Sequence, residues 1–192
     1  MKDEIVIKNK KDLNYRIDEV LNNIYERKPV LLREHTPQIL INLGVKDLPM
    51  YENPSHIRKN ILTINEAKKI GLKIRYNDHY HGLGKDIFLK VLDSLDSPRV
   101  IFKCKNKNDY IILTNIKDLN KDNIIVPIEI NSKTRMDNLS LTINRIKTIY
   151  GYDKNIKDLN LYIKSNIKNN NFSKIYEQKK EQGVRFTNTA SS

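Results

Sequence analysis

The sequence predicts an α+β fold in which N-terminal helices pack on a C-terminal antiparallel β-sheet. Three observations predict it. Apolar residues recur at helical spacing in several segments before residue 95, the period changes to two after residue 99, and Asn, Lys and Asp turns punctuate the second half. Helices first and a strand meander afterwards is the α+β order.

The first helix is expected over residues 11–27, where Leu13, Ile17, Val20, Leu21 and Ile24 share one face. Pro29 ends it, and Val30–Arg33 reads as a short strand or extended link. Thr36 followed by Pro37 has the form of a helix cap with proline at the first helical position, opening a helix to about Leu43 that Gly44 stops. Asn53 and Pro54 repeat that logic. Thr63 and Glu66 make a capping-box pattern for a helix ending at Gly71. After a loop over residues 77–84, residues 85–95 place Ile87, Phe88, Val91, Leu92 and Leu95 on one side of a helix closed by Asp96, Ser97 and Pro98.

Strands are expected over 99–105, 109–115, 124–130 and 139–150. In the last, alternation breaks near Arg145, which predicts a bulge or bend. A helix over 157–167 and short strands over 174–176 and 184–186 follow. This organisation predicts a helical extension over 1–37, an α+β domain over 38–186 and a frayed tail over 187–192.

Hydrophobic content of 39% and charged content of 30% suit a soluble globular chain and argue against a disordered one. Apolar runs are short, far from the roughly 18 residues of a membrane helix, so no membrane insertion is expected. The start at Met1, Lys2, Asp3 and Glu4 lacks the apolar core of an export signal. The single cysteine, Cys104, excludes an intramolecular disulfide and a multi-cysteine metal site. It reads as a small strand hydrophobe in a reducing compartment.

The net charge of +12 is uneven. Residues 1–50 hold 9 Lys/Arg against 8 Asp/Glu, residues 51–130 hold 14 against 10, and residues 131–192 hold 12 against 5. A basic excess concentrated in one region attracts polyanions. The abundance of Lys, Asn and Ile is also what an AT-rich genome produces, which gives part of this charge a bland origin.

Histidine titrates nearest to neutrality and is the natural proton carrier. Three of the four histidines, His56, His79 and His81, fall in one short region. His79 and His81 are two apart and face the same way on an extended segment. No third ligand follows at metal spacing, so no metal and no cofactor are expected. Gly82 and Gly84 leave amides open at the start of the helix from Lys85, an arrangement that can cradle a phosphate. The plainer alternative is a loop with one structural histidine.

His56 lies in the first turn of its helix, where the dipole favours the neutral imidazole and suits a general base. His35 reads as a cap or surface residue. On the last long strand Arg145 and Lys147 share a face and could grip a phosphate, while Tyr150 could stack a base or donate a hydrogen bond. The alternative is a charged edge that discourages aggregation. Thr114 offers a hydroxyl to a phosphate or pairs across strands. Cleavage of a phosphodiester without metal needs a base, an acid and cations for the phosphorane, and this set contains all three.

The order of segments at residues 43–61 (LGVKDLPMYENPSHIRKNI), 79–85 (HYHGLGK), 97–102 (SPRVIF), 109–118 (DYIILTNIKD), 126–130 (VPIEI) and 144–151 (NRIKTIYG) resembles the phage MuF C-terminal domain family. That family is placed among barnase/EndoU/colicin/RelE-like nuclease folds and regarded as a toxin module. The resemblance implies helices on an antiparallel sheet and RNA cleavage. It brings forward His56, His79, His81, Thr114, Asn144, Arg145, Lys147 and Tyr150 as site residues. It also implies RNA as partner, an immunity or antitoxin protein as a second, and action in a bacterial cytoplasm, with delivery by a phage particle as one route. The competing expectations are a non-catalytic basic module that binds nucleic acid or protein in a phage particle, and another group transfer such as ADP-ribosylation.

Overall fold

A computed structural model describes residues 2–136, 139–151 and 159–178. The helices among these are α1 (Lys2–Asn22), α2 (Gln38–Asn42), α3 (Pro54–Ile61), α4 (Ile64–Lys69), α5 (Lys85–Ser94) and α6 (Leu159–Lys168). The strands are β1 (Val30–Arg33), β2 (Met50–Glu52), β3 (Val100–Cys104), β4 (Asp109–Lys117), β5 (Asn123–Met136), β6 (Leu139–Ile146), β7 (Tyr150–Gly151) and β8 (Phe172–Glu177). All eight strands join one sheet in the order β1-β2-β6-β5-β4-β3-β8, with β7 also paired to β5. Every pairing is antiparallel except β2 with β6. The predicted α+β architecture is the one found.

Alternation along the strands gives the sheet two faces. On one, Ile101, Ile112, Val126, Ile128 and Ile146 meet Ile17 and Val20 of α1, Ile57 of α3, and Phe88 and Leu92 of α5 in the main core. On the other, Val100, Phe102, Leu113 and Ile125 form a smaller cluster joined by Tyr150 and Phe172. Burying a side chain such as Phe88 completely contributes about 1.5–3 kcal/mol. The last carbonyls of a helix need partners. For α1 the buried Arg58 guanidinium supplies one, donating to Val20 O at 2.9 Å, and it also donates to Asn23 O at 3.3 Å and Glu26 O at 3.5 Å in the turns that follow.

Several elements differ from the sequence reading, each for a physical reason. The first helix ends at Asn22 rather than at 27, because Asn23 Oδ1 accepts from Tyr25 N at 3.0 Å and turns the chain. Thr36 does not cap α2. Its buried hydroxyl donates to Leu48 O at 3.0 Å and accepts from Leu48 N at 3.1 Å, and Gln38 N donates instead to Asp96 Oδ1 at 2.7 Å. The capping box of α4 forms as expected between Thr63 and Glu66.

Strand β2 has no counterpart among the elements expected from local pattern. The expected strand over 139–150 divides into β6 and β7, and the register shift lies on the partner strand between Glu129 and Ser132, where Asn131 has φ +55°. Strand β8 is longer than expected, and residues 157 and 158 of the expected last helix lie outside the described residues. The expected strand over 184–186 and tail over 187–192 lie outside the described residues.

Candidate active site

The last turn of α3 and the loop after α4 are stitched together by a run of backbone hydrogen bonds. The amides of His81, Gly82, Leu83 and Gly84 donate to Lys59 O at 2.8 Å, Leu62 O at 3.1 Å, Asn60 O at 3.1 Å and Ile61 O at 3.0 Å. These bonds satisfy carbonyls that the end of a helix leaves open. The two glycines make the path possible. Gly82 has φ +60° and passes so close to Thr63 that a Cβ would lie 2.9 Å from its Cγ2, and Gly84 turns at φ +75° into α5. The amides of both glycines are therefore engaged with α3 and do not face a phosphate.

This stitching sets His81 beside α3, and the segment after β6 meets it. Ile149 N donates to Asn60 Oδ1 at 3.2 Å, and the His81 ring stacks on Tyr150 with centroids 5.6 Å apart and planes at 30°. A cleft of ≈ 880 Å³ opens between them, bordered by α3, the loop over 77–81, the chain from Lys147 to Gly151 and the β4–β5 turn. His56, Lys59, Asn60, His79, His81, Lys147 and Tyr150 all line it.

Both lysines of the cleft are paired with carboxylates. Lys59 Nζ lies 2.8 Å from Asp78 Oδ1, and Lys147 Nζ lies 3.1 Å from Asp109 Oδ2. Lys59 holds the Asp78 carboxyl below its ordinary range, helped by the Arg75 amide. Each ammonium has three donors, so one carboxylate leaves others for a bound anion. Asp118 and Asp122 line the same cleft, and Asp118 Oδ1 accepts from the amides of Asn120 and Asp122 at 2.9 and 2.8 Å.

Behind His56 sits Glu52, only 1% exposed. His56 Nδ1 lies 3.1 Å from Glu52 Oε1, with the ring turned off the ideal hydrogen-bond line, and Asn53 N donates to the same oxygen at 2.7 Å. Burial pushes the Glu52 carboxyl up, against the pull of His56 and the Asn53 amide. Two buried side-chain atoms have no hydrogen-bond partner among the described residues besides His56 Nδ1: Glu52 Oε2 and Asn60 Nδ2.

The structure thus brings together His56, His79, His81, Lys147 and Tyr150, and places the other sequence candidates elsewhere. Thr114 is buried in the sheet, its hydroxyl donating to Ile124 O at 3.2 Å and accepting from Ile116 N at 3.2 Å. Asn144 is also buried, donating to Thr36 Oγ1 at 2.8 Å and Lys46 O at 3.1 Å, and accepting from Asn131 N at 3.0 Å. Arg145 donates to Lys133 O at 3.0 Å and lies 4.0 Å from Glu129. Lys85 reaches back to Asp18 of α1 at 2.6 Å. His35 pairs with Asp47 at 2.9 Å, far along the chain from the other three.

Three residues of the site escaped the sequence reading: Glu52, Lys59 and Asn60. Part of the signal was present, since His56, Lys59 and Asn60 stand three and four apart on one face of α3, whereas Glu52 comes from β2.

Among the described residues no helix is long and apolar enough to cross a membrane. No curated protein and no solved structure matches the chain. The family model described as the phage MuF C-terminal domain matches residues 72–188, which takes in the loop with His79 and His81, the segment with Lys147 and Tyr150, and most of the sheet. With well over half of its length matched, this chain belongs to the phage MuF C-terminal domain family.

Proposed function

We propose that the chain is a metal-independent ribonuclease toxin, phage- or prophage-associated, that cleaves RNA in a bacterial cytoplasm by general acid–base chemistry. The observation that carries this reading is the meeting of three histidines with two lysines and a tyrosine along one open cleft. Its relation to the barnase/EndoU/colicin/RelE-like nucleases is part of the same proposal, as is an immunity protein that would restrain it.

In this reading His56 takes the proton of a ribose 2′-hydroxyl as the O2′–P bond forms. The P–O5′ bond breaks with its electron pair on O5′, and that oxygen receives a proton from His81, whose ring is held by Tyr150. The products are a 2′,3′-cyclic phosphate and a 5′-hydroxyl. Lys147 and Lys59 oppose the charge that builds on the phosphorane, and exposed His79 contacts the strand at the cleft mouth.

Purified protein incubated with tRNA and ribosomal RNA in EDTA at neutral pH is expected to cleave. Replacing His81 or Lys147 by alanine in folded protein is expected to lower the rate on the order of 10²–10⁴-fold. Intact RNA after prolonged incubation would end this reading. A second reading, a non-catalytic basic module of a phage particle, is favoured by the four aspartates Asp78, Asp109, Asp118 and Asp122 on the cleft wall, which oppose a polyanion. It predicts salt-dependent binding that is indifferent to every histidine.

A further inference from the structure

We propose that Glu52 is the positioning residue of His56: it holds the imidazole with Nδ1 as the protonated, inward nitrogen and Nε2 as the basic nitrogen presented to the cleft. This deepens the ribonuclease reading and rests on it for the reaction, while the state of the ring can be measured without any substrate.

The argument begins with burial. A carboxylate removed from water is strongly disfavoured unless it is paired and hydrogen-bonded. Glu52 is 1% exposed, and among the described residues its polar contacts are the Asn53 amide at 2.7 Å and His56 Nδ1 at 3.1 Å. Arg145 is the cation near enough to act on it through space. On the ring the buried nitrogen is Nδ1, although the His56 side chain is 44% exposed. Its accessible edge therefore carries Nε2.

A carboxylate on one imidazole nitrogen decides which nitrogen keeps the proton, and so which one can take another.

A second observation points to the same face. Asn60, one turn after His56, is 1% exposed and lines the cleft with Nδ2 unpartnered while Oδ1 is occupied by Ile149 N. A buried donor without an acceptor is unfavourable in a packed protein. A substrate oxygen seated next to His56 satisfies it. In the reaction Glu52 keeps no proton. Its charge balances the imidazolium while Nε2 holds the proton taken from the 2′-hydroxyl.

The plain alternative is that Glu52 merely serves the start of α3, where a negative charge is favourable and the Asn53 amide needs an acceptor. Two-bond ¹H–¹⁵N correlation spectra of the full chain labelled at histidine nitrogen distinguish the two roles, with His56 assigned from H56Q. Neutral His56 is expected as the Nδ1–H form in wild type and in E52Q, whose carbonyl still accepts, and as the Nε2–H form in E52L. His79 and His81 should not change. On RNA, E52Q is expected to lower kcat on the order of 10²–10⁴-fold with KM unchanged.

Neutral wild-type His56 in the Nε2–H form, or an E52L spectrum identical to wild type, would overturn the proposal. If E52L does not fold, the wild-type spectrum and the E52Q rate decide it. A correct ring state with uncut RNA would leave the Glu52 assignment standing and remove the ribonuclease reading. Cleavage by wild type and E52Q at equal rates would do the reverse.

Discussion

Gly82→Ala is the substitution through which the architecture of the cleft can be weighed. Gly82 has φ +60°, a conformation that costs an L-residue about 1–2 kcal/mol. The added methyl would also lie 2.9 Å from Thr63 Cγ2, closer than carbon atoms tolerate. Thr63 is not free to retreat. Its hydroxyl accepts from Glu66 N at 3.2 Å and its amide donates to Glu66 Oε2 at 2.8 Å, so displacement loosens the cap of α4, worth about 0.5–2 kcal/mol.

The two effects together predict a loss of roughly 1.5–4 kcal/mol. Thr63→Ser deletes the methyl and keeps the oxygen, so the double variant should recover the second part and retain the first. Gly84→Ala, where φ is +75° and nothing lies within 4 Å, supplies the backbone penalty alone. Urea denaturation of wild type, the Gly82→Ala and Thr63→Ser singles and their double closes the cycle, with Gly84→Ala measured beside it. A Gly82→Ala protein as stable as wild type, or one that Thr63→Ser does not rescue, would refute the reasoning about this crossing. Because the same amides seat His81, the single variant should also lose cleavage beyond what its unfolded fraction explains.

Three further outcomes are expected. Thr114→Val should destabilise by about 1–3 kcal/mol, because it strands Ile124 O and Ile116 N inside the sheet, while activity per folded molecule stays unchanged. Urea midpoints and specific activity check both halves. Lys59 and the Arg75 amide lower the Asp78 carboxyl, so its contribution is full above the ordinary value of 3.8 and disappears as pH falls through the lowered one. Stability curves of wild type and Asp78→Asn should therefore converge in acid below that value. Glu52 has the opposite sign: with its carboxyl raised by burial, wild type should lose stability relative to Glu52→Gln as pH rises from 4.5 through the raised value. A flat difference across denaturation curves from pH 4 to 8 would contradict that assignment.

Local signals were legible and distant ones were not. The Thr63–Glu66 capping box can be read because both partners occupy one turn. Thr36 carries the same kind of signal, yet its hydroxyl goes to Leu48 and Asn144, and tertiary partners override a cap that proline alone could open. Strand β2 is three residues long and pairs in parallel with Asn144 and Arg145, a register that no local pattern encodes. The alternation that breaks near Arg145 meets a register shift, but the extra residue belongs to the partner strand. At the site, His79 and His81 stood out through proximity in sequence, and Lys147 and Tyr150 through alternation. Thr114 and Asn144 looked like groups for a ligand because a polar residue on a strand does not announce which face it takes.

The pairing of β2 with β6 bears on how this domain can be cut. The family match begins at residue 72, yet the cleft wall on α3 and both strands beyond β6 come from earlier in the chain. A fragment trimmed to the matched stretch would discard Glu52, His56, Lys59 and Asn60 in one stroke. It would also leave the flank of β6 as a bare row of amides and carbonyls, an invitation to sticking between molecules. Boundaries drawn for expression or for fusion should therefore retain the chain from α1 onward.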